Sequence, residues 1–114
     1  PIAGKLRGEN TVLVLAERLH PTPALGGKPV DWAMATIAQI ERQPRGLFAG
    51  PIGVVKPDGD GEMIVGIRSM WATGTQANLF AGAGILADSN ADSEYAETGL
   101  KMQPMMNLLE GQAK

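Results

Sequence analysis

The residues that decide the fold are Ala49 to Lys56 (AGPIGVVK), Glu62 to Trp71 (EMIVGIRSMW) and Gln76 to Ala87 (QANLFAGAGILA). In each run β-branched and aromatic side chains stand between Gly-rich turns, which is the pattern of strands. Between the runs lie Pro57-Asp58-Gly59-Asp60-Gly61 and Ala72-Thr73-Gly74-Thr75. Asp-Gly and Thr-Gly supply residues that tolerate positive φ, so the three runs fold back on one another as two hairpins. With the second turn centred on Gly74, antiparallel pairing sets Arg68 opposite Phe80, Gly66 opposite Gly82 and Ile64 opposite Gly84. Even offsets along a strand keep side chains on one side, so this register predicts a shared face bearing Arg68 and Phe80, with glycines clearing space beside them.

Helical patterns flank the hairpins. Thr11 to Leu19, apolar at Val12, Leu13, Leu15, Ala16 and Leu19, reads as a short amphipathic helix. It must stop before Pro21, because the residue preceding a proline is pushed out of the α region. His20 to Pro29 then reads as a rigid loop. Val30 to Gln43 carries a helical stripe through Trp32, Ala33, Ile37, Ile40 and Glu41; Asp31 favours its dipole and Pro44 ends it. Ser89-Asn90-Ala91-Asp92 offers side-chain oxygens to orphan amides and opens a helix from Ala91 toward Leu109, which Pro104 should kink or interrupt. The fold class is α+β, an antiparallel sheet of hairpins flanked by helices.

The 114 residues carry a net charge of -2, no Cys, one His and 44% hydrophobic residues, an ordinary composition for one soluble domain. Residues 1–114 show no internal repeat and no linker. Absence of Cys excludes disulfides and thiolate metal sites. A near-neutral charge without a basic stripe gives no reason to expect nucleic acid. No apolar run approaches the roughly 20 residues that span a bilayer, so no membrane partner is expected and the default location is cytoplasmic. The six Met residues read as core filler, since oxygen-rich surroundings do not suit a soft metal.

The chemistry-bearing residues lie in and after the strands. A planar guanidinium at Arg68 can hold a carboxylate by two parallel hydrogen bonds while amides near Gly82 and Gly84 donate to the same anion. The plainer alternative is that these glycines mark bulges and Arg68 is an edge residue. Glu94, Glu97 and Lys101, at i, i+3 and i+7, share one helix face over two turns. Two carboxylates so spaced can hold magnesium, which keeps several waters and takes the rest of its ligands from a bound molecule. The alternative is a solvated face with a Glu97–Lys101 pair worth only about 0.3–0.5 kcal/mol.

Taken together, Ile67-Arg68-Ser69, Leu79-Phe80-Ala81-Gly82-Ala83-Gly84-Ile85 and Glu94-x-x-Glu97-Thr98-x-x-Lys101 closely resemble the C-terminal part of the chorismate-using enzymes. His20-Pro21-Thr22-Pro23-Ala24 and Arg45-Gly46-Leu47-Phe48-Ala49-Gly50-Pro51-Ile52-Gly53 extend the resemblance from about Gly4 to Leu109 and bring it closest to the isochorismate synthases. Ala87-Asp88-Ser89 and Glu94-Tyr95-Ala96-Glu97-Thr98 also look like the anthranilate branch. The resemblance implies that Glu97 ligates magnesium with Glu94 nearby, and that Lys101 contacts a substrate carboxylate. It implies that Ala24, Leu25, Phe48 and Ile67 line the pocket, with His20 on its wall. The family's base Lys and acid Glu have no match among Lys5, Lys28 or Lys56 or elsewhere here, so they are expected upstream. On this reading residues 1–114 are a fragment of a larger fold, partnered by the N-terminal part of the same polypeptide, inactive alone and prone to self-association through uncovered sheet edges. The implied reaction is chorismate to isochorismate, for menaquinone or siderophore synthesis. An anthranilate- or salicylate-type enzyme and a non-catalytic binding or assembly module stay open as alternatives.

Overall fold

A computed structural model describes residues 3–8 and 10–111. Among these the elements follow the order α1 (Val12–Leu19), α2 (Pro23–Gly26), α3 (Val30–Ile40), β1 (Pro51–Val55), β2 (Gly61–Val65), β3 (Ser69–Thr73), β4 (Gln76–Phe80) and α4 (Ala91–Leu109). The class is α+β, as expected.

At α1 the Thr11 hydroxyl accepts from the Val14 amide at 3.4 Å, satisfying one of the donors that a helix start leaves unpaired. The Val12 amide donates instead to the Gly59 carbonyl at 2.9 Å, which ties α1 to the turn of the first hairpin. The expected rigid loop from His20 to Pro29 contains a helical turn, α2. Pro23 stands at its start, where a missing N–H costs nothing, and the Thr22 carbonyl accepts from both Leu25 and Gly26. α3 ends at Ile40, three residues short of Gln43: Glu41 turns to extended backbone (φ -73°, ψ 122°) and its carboxylate is taken by Arg45.

The strands depart from expectation in two ways. First, the run Glu62 to Trp71 is not one strand, and β4 stops at Phe80 rather than Ala87. Gly66 prolongs the first ladder, accepting from the Ala49 amide at 2.8 Å and donating to the Gly50 carbonyl at 2.9 Å. The Ile67 amide then closes on the Val65 carbonyl, and Arg68 enters the left-handed region at φ 47°. A strand cannot run straight through that turn. Two separate two-stranded sheets result, β1-β2 and β3-β4. Second, the turn of the second hairpin is the two-residue loop Gly74-Thr75, because Thr73 pairs with Gln76. Gly74 has φ 58° at the first loop position, where a type II′ turn calls for glycine. The register is thereby one residue away from that expected. Phe80 faces Ser69 rather than Arg68, and Gly66–Gly82 and Ile64–Gly84 are not pairs, since β2 is hydrogen-bonded to β1 from Pro51–Val65 to Val55–Gly61.

Asn90 caps α4, its side-chain oxygen accepting from the Ser93 amide at 3.0 Å. Pro104 lies inside the helix without ending it: the same element runs on to Leu109. α1 packs on the first hairpin, α2 on α3, and α4 on β4. The core is thin. Among the described residues the buried apolar side chains are Ala49 and Met105, while Trp32, Ile40 and Leu100 are each about two-thirds or more exposed at 68%, 72% and 76%. The radius of gyration, 16.8 Å, exceeds the about 13 Å of a compact domain near this size. No helix of the described residues is long and apolar enough to cross a membrane.

Candidate functional site

The break between the two sheets opens a cavity. The segment Ile67–Arg68 forms one side and the chain past β4, Gly82–Ala83–Gly84, the next. Lys101 closes it from α4, Ala24 and Leu25 from α2, and Arg45, Phe48 and Ala49 from the connection between α3 and β1. Its volume is about 210 Å³. That is below the roughly 300–1,000 Å³ of a complete small-molecule site, and suits part of a ligand.

Backbone conformation presents the charges. Ala49, at φ 63°, and Arg68, at φ 47°, are non-glycine residues in the left-handed region, and both lie on the cavity wall. Such conformations persist only where the surroundings hold them; at Ala49 the amide does so by donating to the Gly66 carbonyl. Glycines keep the opposite side low. A Cβ on Gly82 would meet only the Phe48 ring edge, at 3.5 Å, and one on Gly84 nothing within 4 Å.

Three cations reach this cavity, and two are already matched. Arg45 donates to both carboxylate oxygens of Glu41, Nε to Oε2 at 2.8 Å and Nη2 to Oε1 at 2.6 Å. Those hydrogen bonds raise the guanidinium above its ordinary value, against the lowering effect of partial burial. Lys101 pairs with Glu97 and donates to the Gly82 carbonyl at 2.8 Å. Arg68 has no hydrogen-bond or ion-pair partner among the described residues, although five N–H donors are available on it. The cavity thus presents one guanidinium without a partner among the described residues, beside a paired lysine and bare backbone.

Of the expected substrate residues, Ala24, Leu25, Phe48, Ile67, Arg68, Gly82, Gly84 and Lys101 surround this one cavity. Phe80 does not line it. Its ring stacks on Phe48, with centroids 5.7 Å apart and planes 21° off parallel, and it faces a neighbouring apolar cavity with Met70 and Trp71. His20 is not part of the lining; it stands at the end of α1, where its amide donates to the Ala16 carbonyl. Glu97 lies next to the cavity through its pair with Lys101. Glu94 accepts from the Ser89 hydroxyl at 2.9 Å, and that hydroxyl in turn accepts from the Leu86 amide. No cluster of three or more His, Cys, Asp or Glu occurs among the described residues. Two carboxylates from one helix nevertheless match the hard-oxygen preference of magnesium, which asks a protein for one or two such ligands. Arg45, Ala49 and Ala83 belong to the lining without having been expected there. The Glu41–Arg45 spacing of four was the available signal for the first.

Comparison with known proteins identifies the family. The sequence profile of the family described as chorismate binding enzyme matches residues 1–110. The chain is 46% identical over 114 residues to isochorismate synthase MenF of Bacillus subtilis (strain 168), covering all of this chain and 24% of that protein. It is 43% identical over 108 residues to isochorismate synthase EntC of Escherichia coli (strain K12), covering 95% of this chain and 28% of that one. A crystal structure of Bacillus anthracis DhbC, described as a putative 2,3-dihydroxybenzoate-specific isochorismate synthase, superposes with a TM-score of 0.89 at 42% identity over 94% of this chain and 29% of that one. The chain thus spans about a quarter of the length of these relatives. A family match over nearly every residue, on a fold that superposes on that of a relative, establishes that the chain belongs to the chorismate-binding enzyme family.

Proposed function

We propose that this chain is the substrate- and magnesium-binding part of an isochorismate synthase, which in its complete form converts chorismate to isochorismate in the cytoplasm. The observation that carries the reading is Arg68. It is a guanidinium without a partner among the described residues, held on a left-handed turn at a cavity whose walls include Lys101 and the low backbone of Gly82 and Gly84. A carboxylate fits that set, with a two-pronged hydrogen bond from Arg68 and charge complementarity from Lys101. Phe48 and Leu25 offer apolar wall to the rest of a ring.

Glu97, with Glu94 one turn earlier on the same face, is the group that would hold magnesium, whose contribution is to neutralise a ligand carboxylate. Lys101 pairs with Glu97 and thereby restrains its carboxylate beside the cavity. The proton-transferring base and acid that the family resemblance implies belong to other parts of the polypeptide, so residues 1–114 alone bind and orient without turnover. The exposed apolar side chains of α3 and α4, such as Ile40 and Leu100, are then surface for the rest of the polypeptide to cover.

The test is made on the complete polypeptide, with chorismate and magnesium, with and without ammonium, and products separated by chromatography. Isochorismate is the expected product. Glu97→Gln should lower kcat/KM by about 10²-fold and raise the magnesium requirement with an unchanged thermal midpoint. Anthranilate as product would move the protein to another branch, and binding without any product would leave a non-catalytic module.

A further inference from the structure

Arg45 does more than border the cavity. Its guanidinium is engaged on three sides. Nε and Nη2 grip the Glu41 carboxylate, Nη1 donates to the Leu25 carbonyl at 3.3 Å, and the carbon at its centre stands 5.8 Å above the Phe48 ring. Leu25 and Phe48 are both cavity wall, yet they come from segments more than 20 residues apart, with Glu41 at the end of α3 between them. No other side-chain hydrogen bond among the described residues links α2 to the connection before β1. The contact needs an arginine. An ammonium has no fork to match both carboxylate oxygens and no flat face to lay on an aromatic ring while donating sideways to a carbonyl.

We propose that Arg45 is a positioning residue that sets the width of the cavity, using Glu41 as its anchor to hold the Leu25 carbonyl and the Phe48 ring at fixed separation. The substrate half of this inference rests on the reading of the cavity as the chorismate site. Arg45 need not touch the ligand to matter. Loss of the strut frees α2, a single four-residue turn, to move relative to Phe48, and small displacements of binding groups lower affinity steeply.

Three variants of the complete polypeptide test it: Arg45→Met, Arg45→Lys and the milder Glu41→Gln. The first readout needs no ligand. Hydrogen exchange at the Leu25, Gly26 and Gly27 amides should speed up about tenfold in Arg45→Met as local opening becomes easier. Arg45→Lys should behave the same way, because a retained charge does not restore the fork. The second readout is steady-state kinetics, in which KM for chorismate should rise about tenfold while kcat stays near the wild-type value, the signature of lost binding rather than lost chemistry. Glu41→Gln should act in the same direction, and should add nothing to Arg45→Met in the double variant, as expected for two residues acting as one unit. Unchanged exchange at 25–27 overturns the strut. Faster exchange with an unchanged KM, a fall in kcat at constant KM, or full rescue by Arg45→Lys overturns the positioning role. A wild-type protein that neither binds nor converts chorismate refutes the ligand assignment, while the exchange result still decides whether Arg45 holds the wall.

Discussion

In the first hairpin a Cβ on Gly53 would run into the Glu62 carbonyl and one on Gly61 into that of Val54, whereas past the second hairpin a Cβ on Gly84 would meet nothing within 4 Å. Both regions are glycine-rich, and the sequence alone shows the same Gly-x-Gly texture in each. In β1 and β2 the missing side chain lets two backbones approach, and the space is already filled. Beyond β4 the missing side chain leaves the space empty, beside Arg68 and Lys101. Glycines that protect a contact and glycines that protect a vacancy should therefore respond differently to the same methyl group.

The largest difference is expected at Gly53. Gly53→Ala forces the added carbon against the Glu62 backbone and the Met63 sulfur, and the backbone cannot withdraw without opening the ladder. Overpacking of this kind should cost about 3 kcal/mol, seen as a lower urea midpoint of the complete polypeptide, while the molecules that remain folded keep their KM for chorismate. A KM that rises together with the instability would show that the first hairpin also shapes the site, and would erase the division between the two regions.

Gly84→Ala is the converse. The carbon fits without displacing anything, so stability should stay within about 0.5 kcal/mol of wild type. On the proposed reading of the cavity it would occupy ligand space, however, and one methyl group in a fitted pocket is worth a factor of about ten in affinity. Isothermal titration with chorismate beside urea unfolding separates the two quantities. An unchanged affinity would mean that the vacancy at Gly84 is not where the ligand sits.

How much of this was readable beforehand follows from the range of the forces involved. The helical and hairpin regions were legible because periodicity, the Asp-Gly and Thr-Gly dipeptides and the start signal around Asn90 act within a few residues. The break at Gly66–Arg68 was not, because it depends on hydrogen bonds from Ala49 and to Gly50, about 17 residues upstream, that no local pattern announces. The one-residue register error has a local origin: Ala72-Thr73-Gly74-Thr75 can place its turn on Gly74 or between Gly74 and Thr75, and the two-residue loop wins because it matches strand twist. α2 is too short to show a period. Of the cavity residues, Ala24, Leu25, Phe48 and Ile67 were reached through family resemblance alone, whereas Arg68, Gly82, Gly84 and Lys101 also stood out by residue type and spacing. Arg45 was hidden because it follows Pro44, past the helix end, where no periodicity ties it to Glu41, and its contacts reach Leu25, 20 residues upstream.

The smallest expected effect sharpens the comparison most, because Gly74 lacks both features that distinguish the two regions. Like Gly84, it has open space, with nothing within 4 Å of an added Cβ; unlike Gly53 and Gly84, it has a positive φ, 58°, at the tip of a turn. Gly74→Ala therefore isolates the backbone penalty from the steric one. An L side chain in that region costs about 1 kcal/mol, so the urea midpoint should fall modestly with an unchanged slope, since the surface exposed on unfolding is the same. KM for chorismate should not move, because the turn lies at the end of the β3-β4 ladder opposite Phe80 and the cavity. A loss as large as that of Gly53→Ala would mean that the tip is packed against some other part of the complete polypeptide. No loss at all would mean that the turn relaxes to another type, and since turn type fixes register, Phe80 would then no longer pair with Ser69 and its stacking on Phe48 would be the next contact to fail.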